Sequence, residues 1–290
     1  MSNYILKTGT YSIVLGSEHF KNYLPLKKNK IMKVTRIQNK HNEFRNIKKI
    51  KEIENYNNFY CLPDETPYLI NPSDTFYKHI IDLARIEKIS IFGSVLQCFY
   101  IDYGGDKELL DTIYDMSKNN STPFWNSYRD IDIFTKTILE SLNYLHQNKI
   151  CHLDIKPENI IINTRTRQFK IIDFGFCDVE PFDIYTENFN GTPGYLPKYL
   201  PEYKIEEWLP KVEANDLIEF EGELPLRKNR KLVYKVDSYC LGRTLYFLKF
   251  FYDENKIYYC YNGEKTLGIK LDNLIEKLTE NNVYKRITIE

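Results

Sequence analysis

Two aspartates set 19 residues apart, Asp154 and Asp173, stand in stretches whose residue types could do chemistry. The first stretch is His152-Leu153-Asp154-Ile155-Lys156-Pro157-Glu158-Asn159, and the second is Asp173-Phe174-Gly175, directly after the apolar run Phe169–Ile172. A third, Gly191-Thr192-Pro193-Gly194-Tyr195-Leu196, follows downstream. Phosphoryl transfer asks little covalent help of a protein. It needs a phosphate cradle, a divalent cation to neutralise developing charge, and a carboxylate to orient the attacking hydroxyl. Aspartate, asparagine, lysine and glycine-bearing turns are the parts such a site is built from.

The first stretch resembles the catalytic loop HRDLKPEN of eukaryotic protein kinases at six of its eight positions. The second resembles the metal-binding DFG of the same family. A lone DFG recurs by chance; one placed a hairpin beyond HxDxKxxN is specific. The third resembles the GTPGYxAPE segment that docks the substrate. The resemblance implies that Asp154 accepts or aligns the substrate hydroxyl proton and that Lys156 contacts the γ-phosphate. It implies that Asn159 gives an amide oxygen to Mg²⁺ and that Asp173 holds Mg²⁺ between the β- and γ-phosphates. By the same resemblance, His152 is expected to pack the loop against the DFG, and Thr192 to hydrogen-bond the catalytic Asp and Lys. Lys156 with Thr192 favours serine/threonine acceptors over tyrosine.

The nucleotide end is more degraded. The glycine-rich loop aligns on Lys7 to Val14, where only the middle glycine, Gly9, and the valine, Val14, remain. Gly9 lets the backbone lie close over phosphates. The third-strand lysine aligns on Lys33 of Ile31-Met32-Lys33, with Lys30 as competitor. Its glutamate partner is expected at Glu43, with Glu52 or Glu54 as alternatives. In Ile101-Asp102-Tyr103-Gly104-Gly105, Ile101 resembles the gatekeeper. Asp102 and Tyr103 would offer backbone C=O and N–H to adenine, which Val14 and Ile172 would sandwich. Asp237 resembles the helix-opening Asp that braces the catalytic loop. Arg286 resembles the late Arg that pairs with the Glu of APE.

The elements needed to hold these groups are legible as pattern. Residues 4–15 read as strand, turn, strand, and 30–37 as a further strand. Residues 42–54 carry Phe44, Ile47, Ile50 and Ile53 at helical spacing. Residues 63–75, with three prolines, read as loop, 77–88 as helix and 94–103 as an apolar strand ended by Gly104-Gly105. Helices follow at 106–116, 131–147, 236–251 and 271–278, with a hairpin at 160–172. The expected fold is α+β and bilobal, protein-kinase-like. A small antiparallel sheet with one main helix forms the N-lobe (about 1–103), the hinge falls at about 102–105, and a larger, mostly helical C-lobe covers about 106–290. Residues 1–290 read as one catalytic domain.

Composition narrows the partners. Lys plus Arg equals Asp plus Glu at 40 each, so no global field exists to hold a polyanion, and nucleic-acid binding is disfavoured. Hydrophobic residues at 42% suffice for a core. No apolar run approaches the ~18 residues of a membrane span, and the N-terminus is not a signal peptide. Six scattered cysteines without CxxC pairs suggest a reducing compartment and small buried apolar roles. The expected place is intracellular, cytoplasmic, or the host cytoplasm or virion if viral. The Ile, Asn, Lys and Tyr bias and the trimmed motifs resemble divergent stand-alone kinases of large DNA viruses. The implied cofactors are ATP and Mg²⁺, and the implied partner is a protein bearing a Ser/Thr hydroxyl.

Departures from the family stand beside these matches. Leu153 replaces the Arg that gathers a phosphorylated activation loop, so activity is expected to be independent of such phosphorylation. Pro197-Lys198-Tyr199 occupies the place of APE, and Pro201-Glu202 lies three residues later. The charged stretch 202–235 is longer than the family minimum. A pseudokinase acting as a nucleotide- or protein-binding module is one rival reading. A small-molecule kinase is another, opposed by Lys156, the DFG spelling and GTPGY.

Overall fold

The computed structural model describes residues 5–9, 12–36, 41–86, 88, 95–117, 124–179, 191–192, 194–197, 231–254, 262–280 and 285–289. Five strands are β1 (Ile5–Gly9), β2 (Ser12–Leu15), β3 (Lys30–Arg36), β4 (Tyr68–Ile70) and β5 (Leu96–Asp102). They form one antiparallel sheet in the order β1-β2-β3-β5-β4. β4 lies inside the stretch expected to be loop. Pro67 and Pro72 flank it rather than enter it, which suits a three-residue edge strand paired on one side.

Three helices lie between these strands in the chain: α1 (Ser17–Phe20), α2 (His41–Lys51) and α3 (Thr75–Ile86). Side chains alternate across a strand, and the alternation sorts the sheet's two faces. Met32, Val34, Leu96, Cys98 and Tyr100 are buried with Phe76, Ile80 and Ala84 of α3. Val14, Lys33 and Phe99 stand opposite one another across β2, β3 and β5, on the face that α3 leaves uncovered. The buried side of α2 goes elsewhere. Ile47 and Ile50 join Tyr60, Leu62 and Phe174 in the core of the larger lobe.

That lobe is built from β6 (Lys107–Glu108), α4 (Leu109–Ser117), α5 (Tyr128–Gln147), β7 (Ile150–Cys151), β8 (Ile160–Asn163) and β9 (Gln168–Ile171). It continues with β10 (Asp178–Val179), α6 (Lys231–Glu254) and α7 (Asn262–Leu278). β6, β8 and β9 form a small sheet, and β10 pairs with β7. Helix α5 is its axis. Ile131, Phe134, Ile138, Leu142 and Leu145 are fully buried along one stripe. Each contributes roughly 1.5–3 kcal/mol of transfer free energy. The helix begins three residues before the expected Ile131 because Ser127 and Asp130 close a reciprocal capping box.

The segment joining the lobes is held tightly. A Cβ on Gly105 would lie 2.2 Å from the Ile162 carbonyl oxygen, and one on Gly104 would lie 2.2 Å from Cys61 Sγ. The glycine pair is required by this close approach to β8 and to the chain before β4. Behind it, the stretch after α2 runs beside β9: Ile171 N–H donates to Phe59 O (2.9 Å) and Cys61 N–H to Ile171 O (3.1 Å). The five described cysteines are all buried and free. Burial pushes the Cys61 thiol up to about 12, which keeps it protonated and unreactive.

Candidate active site

Asp237 organises the loop that carries Asp154. It sits in α6 as that helix's seventh residue rather than at its opening, because the helix starts at Lys231, before the expected Val236. The carboxylate is completely buried. It accepts from the backbone N–H groups of His152 (2.9 Å) and Leu153 (2.7 Å) and from His146 Nε2 (2.9 Å). Burial alone would raise its pKa, but the His146 hydrogen bond and neighbouring imidazole charge hold it below the ordinary carboxylate value. Asp237 thereby pins two consecutive amides immediately before Asp154. His146, from the last turn of α5, was not singled out in the sequence; its signal was a lone helical histidine six residues before His152.

Between those amides and Asp154 the backbone is strained. Leu153 has φ 66°, a left-handed conformation unusual for a bulky residue. Its side chain is buried in the larger lobe's core, so the position that usually carries Arg faces inward here. His152 is fully buried; its Nε2 meets Ile172 O at 3.1 Å and its Nδ1 accepts from Asp154 N–H at 3.3 Å. Those partners assign the proton to Nε2.

Asp154 is the centre of a converging set. Thr192 donates to its Oδ1 from both the backbone N–H (3.0 Å) and the hydroxyl (2.6 Å). Lys156 Nζ lies 3.0 Å from Asp154 Oδ2 and donates to Thr192 Oγ1. Asn159 donates through Nδ2 to Asp154 O and Oδ2, each at 2.8 Å. With both amide hydrogens committed, the amide's remaining polar atom is the acceptor Oδ1. The structure thus brings Asp154, Lys156, Asn159 and Thr192 into one hydrogen-bonded group.

Asp173 is tied to the same group through its neighbour. Ile172 N–H donates to Asn159 O (2.9 Å), while Ile172 O receives the His152 imidazole. Asp173 itself has φ 61° and caps the 3₁₀ turn Phe174–Phe176, accepting from Gly175 N–H at 3.4 Å. Phe174 is buried edge-on against His152 (4.9 Å) and Tyr60 (5.6 Å). Tyr60, whose hydroxyl donates to Ser141 O at 2.6 Å, is a support that sequence reasoning missed. Asn159 and Asp173 supply hard oxygen donors of the kind Mg²⁺ takes, one or two from protein with phosphates and water completing the shell.

The upstream residues divide. Gly9 ends β1 directly opposite Ser12; the turn between them lies outside the described residues. Lys33 and Val14 share the sheet face away from α3, as required of groups approaching a nucleotide. Lys30 is engaged in ion pairs with Asp102 (2.8 Å) and Asp64 (3.0 Å). Glu43 is the third residue of α2, and its side chain lies outside the described residues. Glu52 and Glu54 are exposed, Glu52 beside Lys49. Tyr103 needs correction. Its N–H donates to Asn29 O at 2.9 Å, continuing the β3–β5 ladder one pair beyond Lys30–Asp102. That donor is consumed within the sheet and is not presented to a nucleotide. Arg286, almost fully buried, donates to the carbonyls of Glu280 and Lys235 and stacks over Tyr239. Its expected Glu202 partner, with Pro201 and the 202–230 stretch, lies outside the described residues.

Residues 30–207 match the protein kinase domain. The chain belongs to the protein kinase family. Over 108 residues, 37% of this chain, it is 41% identical to human myosin light chain kinase 3, but the match covers only 12% of that protein. Human mitogen-activated protein kinase kinase kinase 5 is 42% identical over 78 residues, 26% of this chain and 6% of that protein. The fold is shared with the Cydia pomonella granulovirus kinase PK-1. That structure aligns at TM-score 0.56 and 13% identity, across 97% of this chain and 87% of the viral one. Among the described residues, no helix is long and apolar enough to cross a membrane.

Proposed function

We propose that this kinase is catalytically competent and transfers the γ-phosphate of ATP to a serine or threonine hydroxyl of a protein, within a single catalytic domain spanning residues 1–290. The observation that carries the reading is the hydrogen-bonded convergence of Lys156, Asn159 and Thr192 on Asp154, with Asp173 attached to it through Ile172. Asp154 would accept or align the hydroxyl proton. Lys156, beside it, supplies the cation for a transferring phosphoryl group. Asn159 Oδ1 and the Asp173 carboxylate would hold Mg²⁺, which when bound neutralises charge on the β- and γ-phosphates. Lys33 would contact the α- and β-phosphates and pair with Glu43. Gly9 and Val14 would cover the nucleotide, and the backbone of Asp102 would face the adenine. Thr192, bonded to both Asp154 and Lys156, supports the serine/threonine assignment.

The test is a phosphotransfer assay with labelled ATP and a degenerate Ser/Thr/Tyr peptide library. Wild type should label Ser and Thr peptides. Asp154→Asn should lose at least ~10²-fold in rate, the scale of a general-base contribution, while still binding Mg·ATP. Nucleotide binding without phosphotransfer by wild type would establish a pseudokinase instead.

A further inference from the structure

Helix α2 and the turn at Asp173 are far apart in sequence, and a side-chain hydrogen bond joins them. Asn46 Nδ2 donates to Cys177 O at 2.6 Å across 131 residues of sequence. Asn46 is only 4% exposed. Its Oδ1 is buried and has no hydrogen-bond partner among the described residues. A buried amide satisfied on one side only costs stability, and an apolar residue of the same shape would avoid that cost. The bond it does make falls at a defined point. Cys177 ends the 3₁₀ turn that Asp173 caps, and the next two residues pair with β7. The chain after Asp173 is therefore gripped on one side by the β7 ladder and on the other by Asn46.

We infer that Asn46 is a positioning residue whose amide couples α2 to the metal-holding turn at Asp173 through the Cys177 carbonyl. The coupling runs through contacts already described. Phe174–Phe176 packs against α2, and Ile47, the next residue of the helix, shares the core that buries Phe174. Packing alone permits the turn to slide along the helix, because apolar contact is non-directional. A directed hydrogen bond to a single carbonyl fixes its register. Because Leu153 is buried in the core, the position that gathers a phosphorylated loop in related sequences cannot do so here. The role of Asn46 rests on the phosphotransfer reading only for its consequence, not for the coupling itself.

The test uses the full chain with Asn46→Leu, which keeps the shape without the donor, and Asn46→Ala, a good helix former that imposes no steric burden. Amide hydrogen exchange is measured at 46–51 and at 174–179 in the ligand-free protein. Both segments should exchange about tenfold faster in either variant, the size of one modest hydrogen bond. The Mg²⁺ concentration for half-maximal ATP binding should rise several-fold, while Mg²⁺-free nucleotide affinity holds. If Asn46→Leu is insoluble, Asn46→Ala decides. Unchanged exchange, acceleration in one segment alone, or a lowered melting temperature with unaltered Mg²⁺ dependence would each overturn the coupling. Wild type that shows coupled exchange but no phosphotransfer would refute the kinase activity and leave the tether standing.

Discussion

Replacing Asp237 by Asn should loosen the loop before Asp154 without changing its shape, and the size of the effect can be worked from the bonds it breaks. One carboxylate oxygen accepts from Leu153 N–H; the other accepts from His152 N–H and His146 Nε2. An amide has a single acceptor. Kept at the doubly bonded position, it turns its NH₂ group toward Leu153 N–H. One charge-assisted bond worth ~1.5–3 kcal/mol is lost, and a buried N–H is left unsatisfied at ~1–3 kcal/mol. Part of that overlaps, so we expect a total near 3–5 kcal/mol, the range for breaking a buried charged network. With a urea m-value of ~2–3 kcal/mol/M, the unfolding midpoint should fall by roughly 1–2 M.

The pH dependence has a definite sign. The folded pKa of Asp237 lies below its ordinary value. Its stabilisation is therefore complete above the unfolded carboxylate value of ~3.9 and is lost as pH falls through the lower folded value. The gap between wild type and Asp237→Asn should be full at pH 7, begin to narrow below about pH 4, and close as pH falls past the lower folded value. The assay is urea unfolding of both proteins across pH 3–8, followed by fluorescence. A midpoint shift under ~0.3 M at pH 7, or a gap independent of pH, would refute the claim that a buried carboxylate anchors this loop.

Two further outcomes follow from the geometry. Thr192→Val keeps the backbone donor to Asp154 but removes the hydroxyl bridging Asp154 and Lys156. The phosphotransfer rate should drop ~10–100-fold, the equivalent of one charge-assisted bond, and Thr192→Ser should restore most of it. Gly105→Ala drives a methyl into the Ile162 backbone, whereas Gly104→Ala clashes closely with the Cys61 side chain rather than with backbone. Thermal melting should show a loss of ~1–3 kcal/mol for the first and less for the second, and Cys61→Ala should rescue only Gly104→Ala.

Much of the fold was written in periodicity. The α5 stripe, the 160–172 hairpin and the β-rich start all have unambiguous repeats, and their elements stand where the pattern puts them. Boundaries moved where a local bond outweighed hydrophobic spacing, as when the Ser127–Asp130 box extended α5 backward. β4 was hidden because three residues between prolines carry too little pattern, and only β5 gives them a strand's partner. Within the site, Asp154, Lys156, Asn159 and Thr192 were legible as a group because they bond to one another through their own side chains. Tyr103 was misassigned because a backbone N–H carries no sequence signal of the side it faces; the register of β3 against β5 decides that. His146, Tyr60 and Asn46 were invisible for a related reason. Each acts through a partner 81 or more residues away, and nothing local marks a polar residue for such a bond.

The same asymmetry explains why the loop tolerates its unusual residue at 153. A left-handed conformation costs a bulky side chain ~1–3 kcal/mol and persists only where surroundings over-determine it. Here Asp237 holds the Leu153 amide from one side while the hydrophobic core holds its side chain from the other. Asp173 is fixed in the same backbone region by a different device, with Ile172 bonded at both its N–H and its C=O just before it. Two strained residues thus flank the 154–172 segment, Leu153 locked by Asp237 and the core, and Asp173 by the bonds of Ile172 to Asn159 and His152. Relaxing either one frees the chain beside Asp154 or the carboxylate of Asp173. The strain and the bonds that link the Asp154 loop to Ile172 are therefore one structural feature, set by Asp237 and His152.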